Sequence, residues 1–490
     1  MVSGPPAALP RLVVAAPASG HGKTTVATGL MAALRRTGLT VSGHKVGPDY
    51  IDAGYHALAT GRPGRNLDPH LVGEERIVPL LQHGAQVGGA RGGRPADIAV
   101  IEGVMGLYDG HIGGDGFAST AHVARLTDSP VVLVVDISHA SRTIAAVVLG
   151  MATFDPAVRI AGVVLNKAGS LRHSDEVRRA LAPLGIPVLG VLQRDDDVTA
   201  PSRHLGLVPA AERPEAARSL DHLAGKVAAS IDLEAVVRIA RSAPPLAGEA
   251  WAAHAALGGG VDDDEARPLI AVAGGRAFTF RYAETVELLE AAGCEVASVD
   301  PMSDESLPEG TAGIYLGGGF PEVHAADLSA NAPMLGALRA ATAAGVPTVA
   351  ECAGLLYLCR SLDGAEMVGA IDADAGMAPR LTLAYRRSSA PAGSVLAAAG
   401  TEVTGHEFHR TAVTPAAGAT PAWASDAGPE GFVAGSVHAS YLHTHWAGHP
   451  GLAARFAASV RRFSRGRSAP AAPQPAARTH SAAAAASVTT

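Results

Sequence analysis

The sequence predicts an α/β protein of two domains in tandem, each built on a doubly wound, mostly parallel sheet, and three observations predict it. From residue 11 to about residue 232, short Val/Ile/Leu-rich runs (12–16, 97–102, 131–136 and 160–166) alternate with longer helix-compatible stretches. That is the pattern of strands buried on both faces and joined by crossover helices. A second alternation begins at 269–273, continues through 313–316 and 346–350, and runs to about 463. Between the two, 242–267 is rich in Ala, Gly, Pro and Asp without clear periodicity and reads as a linker. The expected organisation is therefore a domain at 11–241, a linker at 242–267, a domain at 268–463, and a tail at 464–490 too poor in apolar bulk to fold.

The bulk numbers suit this division. At 490 residues and 48% hydrophobic, the chain can fill two or three cores. A formal net charge of -7 gives no long-range attraction to nucleic acid or anionic membrane, so small substrates are expected. Three cysteines, Cys294, Cys352 and Cys359, have neither disulfide-framework nor zinc-ligand spacing, and a reducing cytoplasm fits them. The N-terminus has no basic stretch followed by an apolar one, and no apolar run approaches the ~20 residues that span a bilayer, so neither secretion nor membrane insertion is expected. Of 39 Lys plus Arg only four are lysine, and three of those, Lys23, Lys45 and Lys167, lie in the motifs below, where a compact point charge is useful.

The first run leads into Pro17-Ala-Ser-Gly20-His-Gly22-Lys23-Thr24-Thr25 and then a helix-compatible segment. Such a junction turns backbone N–H groups toward phosphates, with Lys23 adding charge and Thr24 a hydroxyl for Mg²⁺. Pro17 stands where the strict pattern has its first glycine, but Gly20, Gly22, Lys23, Thr24 and Thr25 keep the nucleotide-binding spacing. A second strand delivers Lys45-Val-Gly-Pro-Asp49-Tyr-Ile-Asp52, and a third delivers Glu102-Gly-Val-Met-Gly-Leu-Tyr-Asp109. Strand ends of this kind are where α/β sheets bind ligands. Glu102 stands where a metal-holding acid follows its strand, and Thr24, Asp49 and Glu102 form the expected Mg²⁺ set. Lys45, Asp49, Asp52 and Asp109 are the candidates for substrate and phosphate, which suits Mg-ATP plus a carboxylic acid.

In the second domain, Val346-Pro-Thr-Val-Ala-Glu351-Cys352-Ala-Gly354 reads as strand, tight turn and helix, a nucleophile elbow with Ala350 at its first glycine position. A cysteine at such a helix N-terminus is expected to favour the thiolate, whereas Cys294 and Cys359 read as structural. Gly317, Gly318 and Gly319 follow another strand and can offer N–H groups to an oxyanion formed at the cysteine. His443, in His438-Ala-Ser-Tyr-Leu-His443-Thr-His445, is the candidate base.

Taken together, the phosphate loop, 45–52, 102–110 and Leu165-Asn166-Lys167 resemble the ATP domain of cobyrinate a,c-diamide synthases, itself similar to dethiobiotin synthetase. The Cys352, Gly317–319 and His443 motifs, with Gly405-His406-Glu-Phe-His409-Arg, resemble the class I glutamine amidotransferase (flavodoxin-like) domain of the same enzymes. The resemblance spans about residues 11–460. It implies ATP and Mg²⁺ as cofactors, an adenine contact at Asn166, activation of a carboxylate as an acyl phosphate, and ammonia made from glutamine at Cys352. It further implies a tetrapyrrole (corrin) polycarboxylate as partner, cobyrinate or hydrogenobyrinate, amidated at its a and c carboxylates in cobalamin biosynthesis. The oligomeric state stays open, a homodimer included. The usual class I His-x-Glu reads His443-Thr444-His445 here, as in this subgroup, so the group that orients His443 is left open. Three other readings compete: a nickel-sirohydrochlorin a,c-diamide synthase, a cobyric acid synthase, and a P-loop switch ATPase with an inactive second domain. Glutaminase activity discriminates against the last.

Overall fold

The computed structural model describes residues 9–87, 93–194, 202–203, 206–207, 209, 216–259 and 267–468. The first domain is a seven-stranded parallel sheet. Its strands are β1 (Arg11–Ala15), β2 (Val41–Val46), β3 (Arg65–Leu67), β4 (Ile98–Glu102), β5 (Val131–Asp136), β6 (Ile160–Ala168) and β7 (Val188–Gln193), in the order β3-β2-β4-β1-β5-β6-β7. The four strands β1, β2, β3 and β4 are buried along their whole length, which is why their sequences are runs rather than alternations. Two helices bear on function: α1 (Lys23–Arg36) follows β1, and α2 (Tyr50–Thr60) follows β2. Because β2, β4 and β1 are consecutive and parallel, the loops after them open side by side at the C-terminal ends of the strands.

The second domain holds a six-stranded sheet ordered 295–299, 269–273, 311–316, 348–351, 437–440 and 432–434, parallel except for its last strand. The βα alternation expected through 463 is interrupted. Asp374–Ser389 and Glu402–Thr414 form a long antiparallel pair in a separate sheet, and the short strand His443–Thr444 adds to its edge through the pair His406 and His443. In the first of these strands only Ala375 and Ser388 are buried and the other residues are half-buried or exposed, so a search for fully buried runs passes over it.

The two domains share one apolar core that runs from Val13 and Leu67 through Tyr282 to Trp446 and Val460. Across the seam, buried Arg65 meets Glu284 at 2.6 Å and Glu287 at 2.5 Å, and the Tyr385 hydroxyl donates to Asp68 at 2.7 Å. The 242–267 segment contributes to this packing: Trp251 is buried, its backbone N–H donates to the Pro79 carbonyl at 2.9 Å, and its ring meets His83 edge-on. The C-terminal helix Pro450–Ser468 runs past 463, and the rest of the expected tail lies outside the described residues. Among the described residues no helix is long and apolar enough to cross a membrane.

Candidate active site

The phosphate loop is built by glycine and by the want of a side-chain cap. Gly22 precedes α1 with φ of 89°, which favours glycine, and a Cβ there would sit 2.3 Å from Asn166 Nδ2 and displace that side chain. No side chain caps α1, which leaves its first-turn N–H groups available to an anion. Lys23 Nζ donates to the carbonyls of Ala18, at 3.3 Å, and Met105, bridging the phosphate loop and the loop after β4. Burial, then the neighbouring Lys45 ammonium, lower its pKa to about 8.

The three strand ends converge. Thr24 Oγ1 donates to Glu102 Oε1 at 2.6 Å and lies 3.4 Å from Asp52 Oδ2. Lys45 Nζ sits between the same two acids, 2.8 Å from Asp52 and 3.1 Å from Glu102. On the far side His56 Nε2 meets Glu102 Oε2 at 2.6 Å. Burial alone would push Glu102 up, but Lys45 and His56 outweigh it and hold this carboxyl well below the usual range. Asp52 moves the opposite way, pushed up by burial and by Asp49 and Glu102 against the pull of Lys45. The acids thus outnumber the ammonium they surround, and this donor set fits a hard divalent cation. Among the described residues no three His, Cys, Asp or Glu form a metal-holding group by themselves.

Other expected residues sit around this cluster. Asp49 Oδ1 accepts from the Asp52 N–H at 2.8 Å as the N-cap of α2, so the carboxylate that faces Thr24 and Lys45 is Asp52. Asp109 Oδ2 accepts from the Gly106 N–H at 3.0 Å and closes the turn after β4. Asn166 Nδ2 donates to the His21 carbonyl at 2.8 Å, and Lys167 Nζ donates to the Gly20 carbonyl at 2.7 Å while pairing with Asp136. The end of β6 therefore braces the phosphate loop.

In the second domain the elbow is strained as its role requires. Cys352 has φ of 49° and ψ of −98° at the head of the helix Ala353–Leu358, and its N–H donates to the Ser440 carbonyl at 2.8 Å. A Cβ on Gly354 would come 2.3 Å from the Leu316 carbonyl, so the turn admits no side chain there. The expected thiolate is not the resting state. Burial, then Glu322, push the thiol well up, and hydrogen bonds from the Ala353 and Gly319 N–H groups only partly oppose them. A six-residue helix offers a fraction of a kcal/mol to about 1 kcal/mol of dipole stabilisation, too little to offset full burial of a charge.

The three glycines divide the work. The Gly318 N–H is taken by the Phe280 carbonyl at 3.0 Å, and the Gly317 carbonyl accepts from Gly354. The donors next to the sulfur are therefore Gly319 and Ala353. A Cβ on Gly318 would lie 2.4 Å from His443 Cε1, so this loop touches His443 at one glycine and Cys352 at the next. His443 is buried, and burial, then His409, lower its pKa to about 3, which keeps it neutral. Its Nδ1 lies 3.4 Å from the Tyr50 hydroxyl of the first domain. His445 instead stacks on Tyr282 at 4.1 Å and faces Glu284 at 3.7 Å, deep in the seam. Burial raises Cys294 to about 11 and Cys359 to about 12, as suits structural thiols.

Comparison with known proteins agrees with both halves. Residues 12–208 match the CobQ/CobB/MinD/ParA nucleotide binding domain, and residues 269–451 match the CobB/CobQ-like glutamine amidotransferase domain. Over 468 residues, 93% of this chain and 98% of the relative, the sequence is 61% identical to the hydrogenobyrinate a,c-diamide synthase of Thermobifida fusca. It is 55% identical to the protein of that name from Streptomyces coelicolor, covering 92% of this chain and 97% of the relative. It is 41% identical to the cobyrinate a,c-diamide synthase of a Synechococcus strain, covering 91% and 97%. The chain belongs to the cobyrinate and hydrogenobyrinate a,c-diamide synthase family. Both halves of an amidating ligase are therefore present, a nucleotide-binding domain and a glutamine amidotransferase domain.

Sequence reasoning passed over two residues of this a,c-diamide synthase site. His56 lies four residues after Asp52, on the same face of α2, so helical spacing could have found it. Tyr50 had no such signal, because its partners Phe280, His406 and His443 all come from the other domain.

Proposed function

We propose that this protein hydrolyses glutamine at Cys352 and uses the released ammonia, with ATP and Mg²⁺, to convert the a and c carboxylates of hydrogenobyrinate to amides. The observation that carries this reading is the pairing, in one chain, of a cysteine elbow with a carboxylate and lysine cluster beside a phosphate loop. Hydrogenobyrinate is preferred to cobyrinate because the relatives at 61% and 55% identity carry its name, and the first cobyrinate relative stands at 41%.

Thr24, Asp52 and Glu102 would hold Mg²⁺, which supplies charge neutralisation to the phosphates. Asp49 acts behind them by capping α2 and fixing the turn that carries Asp52. Lys23 and the α1 N-terminus hold the phosphates, and Asn166 keeps the loop in shape through the His21 carbonyl. The γ-phosphoryl group moves to a substrate carboxylate oxygen and ADP leaves. In the second domain the Cys352 sulfur bonds to the glutamine side-chain carbonyl carbon, with the Gly319 and Ala353 N–H groups facing the oxyanion. The thiol proton passes through His443 to the departing nitrogen, and water then cleaves the thioester to glutamate. Ammonia displaces phosphate from the acyl phosphate, and the cycle repeats at the second carboxylate.

The test is mass spectrometry of hydrogenobyrinate, cobyrinate and nickel-sirohydrochlorin, each incubated with enzyme, ATP and glutamine. Two successive losses of about one mass unit, each an OH-to-NH₂ exchange, are expected for hydrogenobyrinate. Amidation of nickel-sirohydrochlorin alone would replace this reading by the nickel enzyme's.

A further inference from the structure

The acids that stand nearest to His443 are already committed. Glu351, at the end of the parallel-sheet strand 348–351, accepts from Tyr315 at 2.8 Å and from Thr444, the residue after His443, at 3.1 Å. Glu407 is 3.3 Å from Arg386 and faces His409, and Glu284 is bound to Arg65. The titratable groups turned toward His443 are His406, stacked on it at 4.9 Å, His409 and Glu407 at longer range from the same strand, and Tyr50. Among the described residues, Tyr50 is the one that meets a ring nitrogen of His443 within hydrogen-bond distance, at Nδ1 and 3.4 Å.

Tyr50 is also tied to the carboxylate cluster of the first domain. It opens α2 between the N-cap Asp49 and Asp52, whose carboxylate touches Thr24 and Lys45. Its ring stacks on Phe280 at 5.1 Å, and Phe280 exchanges both backbone hydrogen bonds with Gly318, the glycine against His443. Ring, loop and imidazole form one packed chain of contacts across the domain seam.

We infer that Tyr50 is the orienting partner of His443, so that the glutaminase base is completed by the carboxylate-activating loop of the other domain. This rests on the reading of His443 as the base. With the Tyr50 oxygen accepting from Nδ1–H, the tautomer leaves Nε2 free to take the thiol proton and pass it to the departing ammonia. Tyr50 is thus a positioning residue, and any shift of the 45–52 loop when nucleotide or acid binds is transmitted to His443.

The experiment compares wild type, Tyr50→Phe and Cys352→Ala in the full-length chain, with glutamine or ammonium chloride as nitrogen source. Phenylalanine keeps the ring contacts and removes only the hydroxyl. The expected result is a fall in kcat for glutamine hydrolysis of about tenfold or more, a KM for glutamine within about twofold, and ammonia-dependent amidation within about twofold of wild type. Unchanged glutamine turnover, a raised KM with kcat kept, or parallel loss with both nitrogen sources overturns the inference. Cys352→Ala keeps the two readings apart: if that variant still uses glutamine, the glutaminase assignment itself fails, whatever Tyr50 does.

Discussion

The phosphate-loop site and the cysteine site are both made at the ends of parallel strands, beside helix N-termini, yet they are prepared in opposite electrostatic states. Around Glu102 the first domain keeps charges buried and paired: Lys45 lies within 3.1 Å of two carboxylates and Glu102 is held ionised. Around Cys352 the second domain keeps its nucleophile and base neutral, with the thiol pushed up and His443 pushed down by burial. The difference follows the chemistry. Phosphoryl transfer needs fixed charge waiting for polyanions, because reorganising it during the reaction is costly. Amide hydrolysis needs a nucleophile and base that exchange one proton when the substrate arrives, and a permanent thiolate in a closed site would be expensive and reactive.

The largest expected effect tests whether the two halves separate at all. Cys352→Ala should lower glutamine-dependent amidation by a thousandfold or more on the order of other lost nucleophiles, while ammonia-dependent amidation survives. Loss of both, in a variant shown to be folded by circular dichroism, would end the division of labour. Next, Glu102→Gln should cost about a hundredfold or more in amidation with either nitrogen source, because Lys45 and His56 lose a shared anion and the cation site a ligand. Basal glutamine hydrolysis should stay within a few-fold. A parallel fall in glutaminase activity would show that the charged half also sets up the neutral one.

A finer contrast lies within α2. Asp52→Asn should cost at least about tenfold in amidation, ~1.4 kcal/mol of barrier, whereas Asp49→Asn should cost less, since asparagine also caps a helix. Steady-state kinetics at saturating and at low Mg-ATP decide it, and a larger effect at Asp49 would return the cation to that residue. The smallest effect concerns Glu351, which burial, against hydrogen bonds from Tyr315 and Thr444, raises to about 7. A folded pKa above the unfolded one means that the folded state holds the extra proton between about pH 4.5 and 7. This contribution is therefore present at low pH and lost as pH rises through about 7. Glu351→Gln stays neutral and should flatten that loss by roughly 1 kcal/mol or more, read from urea unfolding at pH 5 and pH 8. Equal slopes for the two proteins would mean that Glu351 is ionised in the fold.

Both local motifs were legible because each is a strand, a short turn and a helix, and contiguous spacing carries the geometry. Gly22-Lys23-Thr24 and Glu351-Cys352-Ala353 needed no partner to be read. Convergence of Lys45, Asp52 and Glu102 followed from their places at the ends of parallel strands. Charge state did not: nothing in the sequence says that Asp52 rather than Asp49 turns toward Thr24, because a single helix cap decides which of two acids is free. The long pair 374–389 and 402–414 was missed because half-exposed antiparallel strands carry a weaker signal than buried runs.

By itself, then, the sequence determined the two sheets, the two loops that hold chemistry and the residues at their tips, all properties of short segments whose hydrophobic period and turn chemistry are local. Only the tertiary structure decided that Tyr50 lies against His443, that Gly318 gives its N–H to Phe280 and leaves Gly319 to face the sulfur, and that Cys352 rests as a thiol. These depend on which surfaces meet across the seam and how completely they exclude water. Desolvation and contact are sums over residues hundreds of positions apart, and no window along the chain contains them.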